Sequence, residues 1–253
     1  MICYLLMLLT FSAEASLPAA KPLLENWKDA IYTPFETSKL RMTIRPAKES
    51  PIVREADIFY SSDNRSDVKI FLRFNSPLKI RGTAFLSLKK SQSLASDQWI
   101  YFPAYKKARR LSSRKRNDQF LDSDFSNGDI SFEYHQGHEF KVLKEATLDN
   151  KKVYVLEGKA TKLEDALYAR QVLYISQTDN LNLKSEFYDR DNRLIKEFII
   201  KKWQKYGTHW AIDQALMKDL QTGSETELEF LARDISKRPA AKLFTLINLE
   251  RGQ

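Results

Sequence analysis

Apolar and polar residues alternate along most of the chain. Leu40, Met42 and Ile44 alternate with basic and hydroxyl side chains, and the same period of two returns over residues 68–74 and 183–188. Successive side chains of a β-strand point to opposite faces of a sheet, so this alternation predicts strands with one dry face and one wet face. The number of such runs predicts about ten or eleven strands.

Turn residues separate the predicted strands. Asp149-Asn150, Tyr206-Gly207-Thr208 and Thr222-Gly223 stand between apolar alternations, where a tight reversal or a positive φ is needed. Links this short join antiparallel neighbours and leave little room for βα crossovers. The expected fold class is therefore α+β and mainly antiparallel β, with one large meander that curls to bury its dry face.

Helices are expected at only a few places. Residues 22–32 carry apolar side chains at spacings of three and four, which predicts one amphipathic helix that opens at Pro22. Further pieces of cover are expected within residues 105–135, as a short turn near residues 162–168, and after Pro239. We expect these helices to cover the dry face of the sheet.

The N-terminal residues have the pattern of a signal peptide. Residues 2–11 are a short apolar run, and Ala13 and Ala15 then supply the small side chains that a signal peptidase accepts. Cleavage is expected between Ala15 and Ser16, with export to the periplasm. Because no Lys or Arg precedes the run, a buried N-terminal strand or helix remains the alternative. The mature chain, residues 16–253, is expected to be soluble and to form a single domain, because it shows no repeat and no Pro/Gly-rich linker.

Composition narrows the possible chemistry. The single cysteine, Cys3, lies in the predicted signal peptide, so disulfides, thiolate nucleophiles and cysteine metal sites are not expected in the mature chain. The seven glycines form no phosphate-binding loop and no dinucleotide fingerprint, and no cofactor is expected. His135 and His138 are too few for a metal site and flank a glycine that indicates a turn. The formal net charge of +8 favours an anionic partner or surface.

One stretch, residues 98–132, changes character along its length. Residues 99–103 are aromatic and end at Pro103, residues 106–116 are rich in Lys and Arg, and residues 122–129 are acidic. The aromatic run predicts a strand, and the charged remainder predicts a loop and lid beside the sheet.

A pattern of residues runs through this stretch and returns at the end of the chain: Trp99-x-Tyr101-x-Pro103, Arg109-Arg110, Arg116, Phe120, Asp124-Phe125-Ser126, Asp129, Phe244-Thr245 and Leu249-Glu250-Arg251. This pattern resembles the LolA/LolB-like superfamily, and within it the exported outer-membrane lipoprotein-sorting proteins. The similarity in the order of elements covers nearly all of the mature chain.

Two positions depart from the family pattern. Leu121-Asp122 stands where a small pair such as Gly-Ser or Gly-Thr is expected, and Asn127-Gly128 replaces an aromatic-acidic pair.

The resemblance implies an unclosed antiparallel half-barrel whose mouth is plugged by helices and whose concave apolar face holds acyl chains. The implied function is a periplasmic carrier or chaperone that binds a lipid or an acylated protein and passes it to a membrane-embedded acceptor. Some relatives look like accessory proteins of export pumps, so a pump is one candidate partner. No catalytic residues are expected.

The candidate ligand-binding residues are apolar side chains assigned to the dry face of the sheet. Burial of an acyl chain is worth about 0.8 kcal/mol per methylene, so such a groove can hold a lipid without a covalent step. Ordinary core packing is the alternative role for each residue. The candidates are Leu40, Met42, Ile70, Leu72, Phe74, Leu86, Trp99, Tyr101, Phe187, Phe198, Trp210 and Phe230.

The candidate residues for partner docking or for the lid come from the charged stretch. They are Lys106, Lys107, Arg109, Arg110, Arg114, Arg116, Asp124, Phe125 and Asp129. The basic run has three interpretations: docking on anionic headgroups or a transporter, binding of nucleic acid, or a solvated loop paired with the nearby aspartates. Nucleic acid is not the expected partner, because export removes most such targets. An envelope adaptor or sensor, or a hydrolase with an acidic pair in the groove, remain alternative functions.

Overall fold

The computed structural model describes residues 16–63, 65–91, 93, 95–133 and 135–251, without the side chains of Ser113 and Arg114. The predicted signal peptide, residues 1–15, lies outside this range.

Thirteen β-strands dominate the described chain. Their bounds are β1 (Phe35–Arg45), β2 (Ile52–Asp63), β3 (Asp67–Ser76), β4 (Ala84–Lys89), β5 (Asp97–Phe102), β6 (Lys107–Leu111), β7 (His138–Leu148), β8 (Lys151–Ala160), β9 (Arg170–Ser176), β10 (Asn182–Tyr188), β11 (Leu194–Tyr206), β12 (His209–Asp219) and β13 (Ser224–Asp234). The left-handed Asp149, Asn150, Gly207 and Gly223 lie in tight turns where the sequence predicts them.

All thirteen strands belong to one antiparallel sheet of order β6-β5-β4-β3-β2-β1-β13-β12-β11-β10-β9-β8-β7. Two meanders, β1 to β6 and β7 to β13, meet where β1 pairs with β13. In the described part of the chain β6 and β7 do not pair, so the sheet is unclosed. The predicted fold class is confirmed, whereas the predicted count of ten or eleven strands is too low. Lys107–Leu111, for which the sequence predicts a loop, is an edge strand, and its mostly charged and exposed residues show no apolar alternation.

One face of the sheet, here called the inner face, carries the largest apolar cluster. Register places Leu40 of β1 beside Ala56 of β2 and Phe230 of β13, so these side chains share this face. The buried sheet residues of the cluster are Leu40, Met42, Ile44, Ala56, Leu72, Phe74, Phe85, Phe187, Phe198, Ala215, Met217 and Leu228.

Helix α1 (Ala20–Ile31) covers the inner face near β8 and β9. Leu23 and Trp27 are buried against Leu156 and Leu173, as the spacing of apolar residues predicts. The helix starts two residues before the predicted opening at Pro22.

The segment between β6 and β7 crosses the sheet. These strands are the two opposite edges, so residues 112–137 have to pass from one edge to the other. They do so over the inner face, through a 3₁₀-helix (Ser113–Asn117) and the one-turn helix α2 (Asn127–Ile130). Residues 118–131 of this segment are here called the plug.

The C-terminal segment packs on the opposite, outer face. Its 3₁₀-helix (Ala241–Phe244) and helix α3 (Leu246–Glu250) bury Phe244 and Leu249 against Phe71, Leu86 and Tyr101. The expectation that the piece after Pro239 covers the dry face is therefore wrong. The runs of β3 to β5 are apolar on both faces, so the outer face here needs a cover of its own.

Residues 163–165 form a turn, in the region where the sequence predicts a short one. In the described ranges, no helix has both the length and the apolar character that a membrane span requires.

Acid is expected to destabilise the fold through His135, which lies beneath α1 with its ring 5.0 Å from that of Trp27. Burial lowers the pKa of His135 to about 3; the hydrogen bond to Gln171 opposes this shift, and the nearby His138 and Lys28 add to it. The unfolded imidazole takes up a proton near pH 6.5, but the folded one does not until about pH 3, so the folded state binds fewer protons in between. The free energy of unfolding should therefore fall by about 1.4 kcal/mol for each pH unit lost between roughly pH 6 and 4. Urea titrations of His135→Gln should show a flatter pH dependence over this window, and an equally steep one would contradict the assignment.

Candidate functional site

The candidate site is the inner face together with the plug that covers it. Phe120 is fully buried, with its ring centroid 6.3 Å from that of Phe74 and 5.2 Å from that of Phe85. Phe125 packs edge to face on Phe198 at 5.9 Å. The plug thus places two aromatic rings on the surface where the sequence predicts a bound acyl chain.

Asp124 ties the plug to the sheet. The carboxylate of Asp124 accepts hydrogen bonds from the hydroxyls of Ser224 and Thr226, and its backbone N–H donates to Thr226 Oγ1 at 3.0 Å. Its carbonyl oxygen accepts from Nζ of Lys196 at 2.6 Å. Since Asp124 is only 2% exposed, these bonds replace water that the carboxylate gives up on burial.

A second anchor lies one turn further on. Ser126 and Asp129 form a capping box around α2, in which each side chain accepts from the other residue's backbone N–H. The hydroxyl of Tyr168 donates to both carboxylate oxygens of Asp129, at 3.0 and 2.9 Å, while its ring stacks on Phe187. Burial and then the charge of Asp129 raise the pKa of Tyr168 well above its usual value, so it stays a donor.

The turn before Asp124 is strained. Leu121 and Asp122 have φ values of 50° and 61°, in the left-handed region that costs an L-residue about 1–2 kcal/mol. A glycine would avoid that cost, in agreement with the small pair that the resemblance leads us to expect here. The guanidinium of Arg54, on β2, donates to the Leu121 carbonyl and lies 3.5 Å from Oδ2 of Asp122.

Of the twelve predicted ligand-binding residues, seven belong to the apolar cluster of the inner face. They are Leu40, Met42, Leu72, Phe74, Phe187, Phe198 and Phe230. Ile70 is buried and shares the face of Leu72 by alternation along β3. Trp210 is half-buried outside this cluster, with its ring 5.9 Å from Nζ of Lys205.

The assignment of Leu86, Trp99 and Tyr101 to the inner face is wrong. Register pairs Phe85 with Ile100, which puts those two on the inner face and their neighbours on the outer face beneath the C-terminal segment. The run from Trp99 to Phe102 is apolar at every position, so its alternation could not identify the inward side chains.

The predicted docking residues separate into an exposed group and a buried group. Lys106, Lys107, Arg109 and Arg110 are exposed at and beside the edge strand β6. The guanidinium of Arg109 lies 4.5 Å from the ring centroid of Tyr105.

Two arginines of the basic run form ion pairs with carboxylates outside the plug. Arg110 forms an ion pair with Asp97, and Arg116 bonds to Glu133 at 3.1 Å. Arg116 is largely buried and holds the plug region together, and the side chain of Arg114 is outside the described part of the structure.

Asp124, Phe125 and Asp129 are all at most 4% exposed. They belong to the cover of the inner face and are not accessible for docking. The charges of Asp124 and Asp129 suggested solvent exposure, but their carboxylates accept hydrogen bonds from hydroxyl and backbone donors.

Four residues of the site were not predicted from the sequence: Arg54, Phe85, Tyr168 and Lys196. Arg54 carried a usable signal, because it stands between Ile52 and Ala56 at a dry-face position of its strand.

Two surface cavities accompany the site. One, of about 360 Å³, opens beside the plug and is lined in part by Leu167, Tyr168, Ile195 and Lys196. The other, of about 510 Å³, lies near the start of β5 and is lined in part by Asp97, Gln98 and Arg110. No group of three or more potential metal ligands occurs within the ranges that the structure describes.

Comparisons with known proteins agree with this architecture. A family model described as an uncharacterized protein matches residues 66–251. A candidate outer membrane lipoprotein-sorting protein domain from Vibrio parahaemolyticus is 26% identical with a TM-score of 0.83, covering 91% of this chain and 97% of that one. A DUF1329 family protein from Desulfovibrio piger is 21% identical with a TM-score of 0.82 (90% and 96% covered). A LolA superfamily protein from Nitrosomonas europaea is 20% identical with a TM-score of 0.71 (90% and 98% covered). No curated protein matches the chain at a significant level.

Removing the charge of Asp124 should loosen the plug. Asp124→Asn replaces a buried acceptor of two hydroxyl bonds with an amide, which should lower the free energy of unfolding by about 1–3 kcal/mol. The matched control is Asp122→Asn, since the Asp122 side chain is 89% exposed and the change should cost under about 0.5 kcal/mol. Urea denaturation of both variants measures the difference, and equal losses would contradict the anchoring role of Asp124.

Proposed function

The chain belongs to the uncharacterized-protein family whose model matches residues 66–251 and shares its fold with outer membrane lipoprotein-sorting and LolA superfamily proteins, and on this premise we propose that it is a periplasmic carrier for a lipid or an acylated molecule. Residues 1–15 are the signal peptide, and residues 16–253 form a single binding domain without catalytic activity. The acyl chain of the ligand binds on the inner face in place of the plug. The carrier then passes its ligand to a membrane-embedded acceptor, for which an export pump is one candidate.

The observation that carries this proposal is the separate cover on the inner face. The apolar cluster of the sheet is closed by Phe120 and Phe125, which belong to a crossing segment and not to the strands. A cover of this kind can leave while the pairing of the thirteen strands stays intact.

The free energy gained by burying a ligand's acyl chain is comparable with the free energy lost when the plug phenylalanines leave the inner face. Burial of ten methylene groups contributes about 8 kcal/mol, whereas burial of two phenylalanine side chains contributes about 3–6 kcal/mol. The polar anchors of the plug regain water when it leaves, and the strained turn at Leu121 relaxes. A single-chain lipid can therefore replace the plug at small net cost, and a better acceptor can take the lipid away again.

The exposed end of the sheet beside β6 supports docking to an anionic surface or acceptor. Lys106, Lys107 and Arg109 lie next to Tyr105, which is 61% exposed. Leu78, in the neighbouring β3–β4 turn, is 77% exposed. Cations beside protruding apolar side chains fit a headgroup layer, where the charges meet phosphates and the apolar groups enter the boundary.

Enlarging the space under the plug should strengthen lipid binding. Phe120→Ala leaves a cavity against Phe74 and Phe85, so an acyl chain has less plug to displace, and the affinity for a fluorescent fatty acid should rise severalfold. The control is Phe71→Ala, an equally buried truncation on the outer face. Each variant should lose about 3–5 kcal/mol of stability, but only the first should bind more tightly.

Fluorescence titration of folded protein, with native mass spectrometry of the wild type, measures this effect. Equal changes in both variants, or no uptake by the wild type and by Phe120→Ala, would reject the carrier.

Reversing charge on the edge strand should separate docking from ligand binding. The double variant Arg109→Glu and Arg110→Glu should reduce flotation with phosphatidylglycerol vesicles at least tenfold while the affinity for a fatty acid changes less than twofold. The exposed pair Lys151→Glu and Lys152→Glu makes the same change of charge at a distant turn and should leave flotation nearly intact. Parallel loss of both activities in the first variant would contradict this division of roles.

A further inference from the structure

Arg54 is a cation built into the apolar inner face. It is only 6% exposed, and its cross-strand neighbour is the fully buried Met42. On its own strand Ile52 and Ala56 flank it on the same face, and both belong to the inner-face cluster. A guanidinium at such a position has lost water, and its burial lowers the pKa of Arg54 despite the opposing effect of Asp122.

The partners of Arg54 in the closed structure compensate its charge poorly. One is a neutral group, the main-chain carbonyl of Leu121. The other is the Asp122 carboxylate, which lies 3.5 Å away with a side chain that is 89% exposed and therefore well solvated. Both partners belong to the plug, so both leave Arg54 when the plug is displaced.

Two other cations of this region have sheet carboxylates beside them. Lys196 stands opposite Asp219 in the register of β11 and β12. Arg233 forms a buried ion pair with Glu36, with side chains 4% and 12% exposed. Arg233 therefore keeps its ion pair with the sheet when the plug moves, whereas both of the partners described for Arg54 leave with the plug.

The poorly compensated charge of Arg54 restricts the chemistry of the ligand. If a neutral chain replaced the plug, the Arg54 guanidinium would remain in an apolar surface without the carbonyl that it bonds now, which is strongly unfavourable. If the ligand carried a carboxylate or phosphate, a charge-assisted hydrogen bond would replace a weaker one.

We propose that the ligand of the inner face is an acidic amphiphile whose carboxylate or phosphate group binds Arg54 in place of the Leu121 carbonyl, with its chain along the apolar cluster. This inference rests on the carrier function and adds the class of ligand. The plug then acts as an internal substitute for the ligand, with the carbonyl at Arg54 in the position of the headgroup and Phe120 in that of the chain.

The test compares ligands that share one chain and differ in headgroup. Dodecanoate, dodecanoyl lysophosphatidylglycerol and the neutral dodecanoylglycerol compete with a fluorescent fatty acid for the full chain. The wild type should bind at least one acidic ligand ten times more tightly than dodecanoylglycerol, and the two acidic ligands distinguish a fatty-acid carboxylate from a phospholipid phosphate. Arg54→Met should bring the affinities within about twofold of one another, while Arg54→Lys should retain part of the preference.

Arg41→Met is the matched control, because Arg41 lies on the outer face in ion pairs with Glu55 and Glu229 and its loss should leave the preference intact. Equal affinities for acidic and neutral ligands in the wild type would overturn the inference and leave the carrier standing. An unchanged preference in Arg54→Met would mean that Arg54 only holds the plug in place, and this result would also overturn the inference. Failure of the wild type and of Phe120→Ala to bind any of the three ligands would instead reject the carrier itself. If Arg54→Met does not fold, the wild-type comparison and Arg54→Lys decide between these outcomes.

Discussion

The need to keep a broad apolar sheet face out of water governs this structure. A thirteen-stranded unclosed sheet has two faces, and the inner one carries buried side chains from most of its strands. The order of the strands supplies a cover for this face. Because β6 and β7 are opposite edges, the chain that joins them has to cross the sheet. The plug is therefore a consequence of topology as well as of composition.

The chemistry of the cover fits the proposed release of the plug. Its aromatic rings fill the inner face, but its tight fastening comes from polar groups such as Asp124 and Asp129, which water can satisfy after release. Its turn at Leu121 and Asp122 is strained while closed. A core residue contributed by a strand has no comparable way to leave without breaking sheet pairing.

The sequence predicts part of this arrangement, and the limits have physical causes. Alternation identifies strands with one wet face, such as β1 and β10, and the spacing of three and four identifies α1. Alternation fails to identify β6, whose residues are mostly polar on both faces, and it fails to identify the inward side chains of residues 99–102, which are apolar on both faces. Burial of Asp124 was unpredictable from its charge, because hydroxyl partners one hundred residues away satisfy it. Arg54 was recognisable as a cation at a dry-face position, but only the fold shows that its partner is the plug.

The central claim is that the plug leaves the inner face when ligand binds, and a reversible covalent lock tests it directly. The side chains of Asp124 and Thr226 meet in a hydrogen bond, so this pair of positions is chosen for two cysteines to be cross-linked by oxidation, in a background that carries Cys3→Ser. The measurement is uptake of a fluorescent fatty acid before oxidation, after oxidation and after reduction. The account predicts at least a tenfold loss of uptake on oxidation and full recovery on reduction. Equal uptake by the locked and the reduced protein would contradict it.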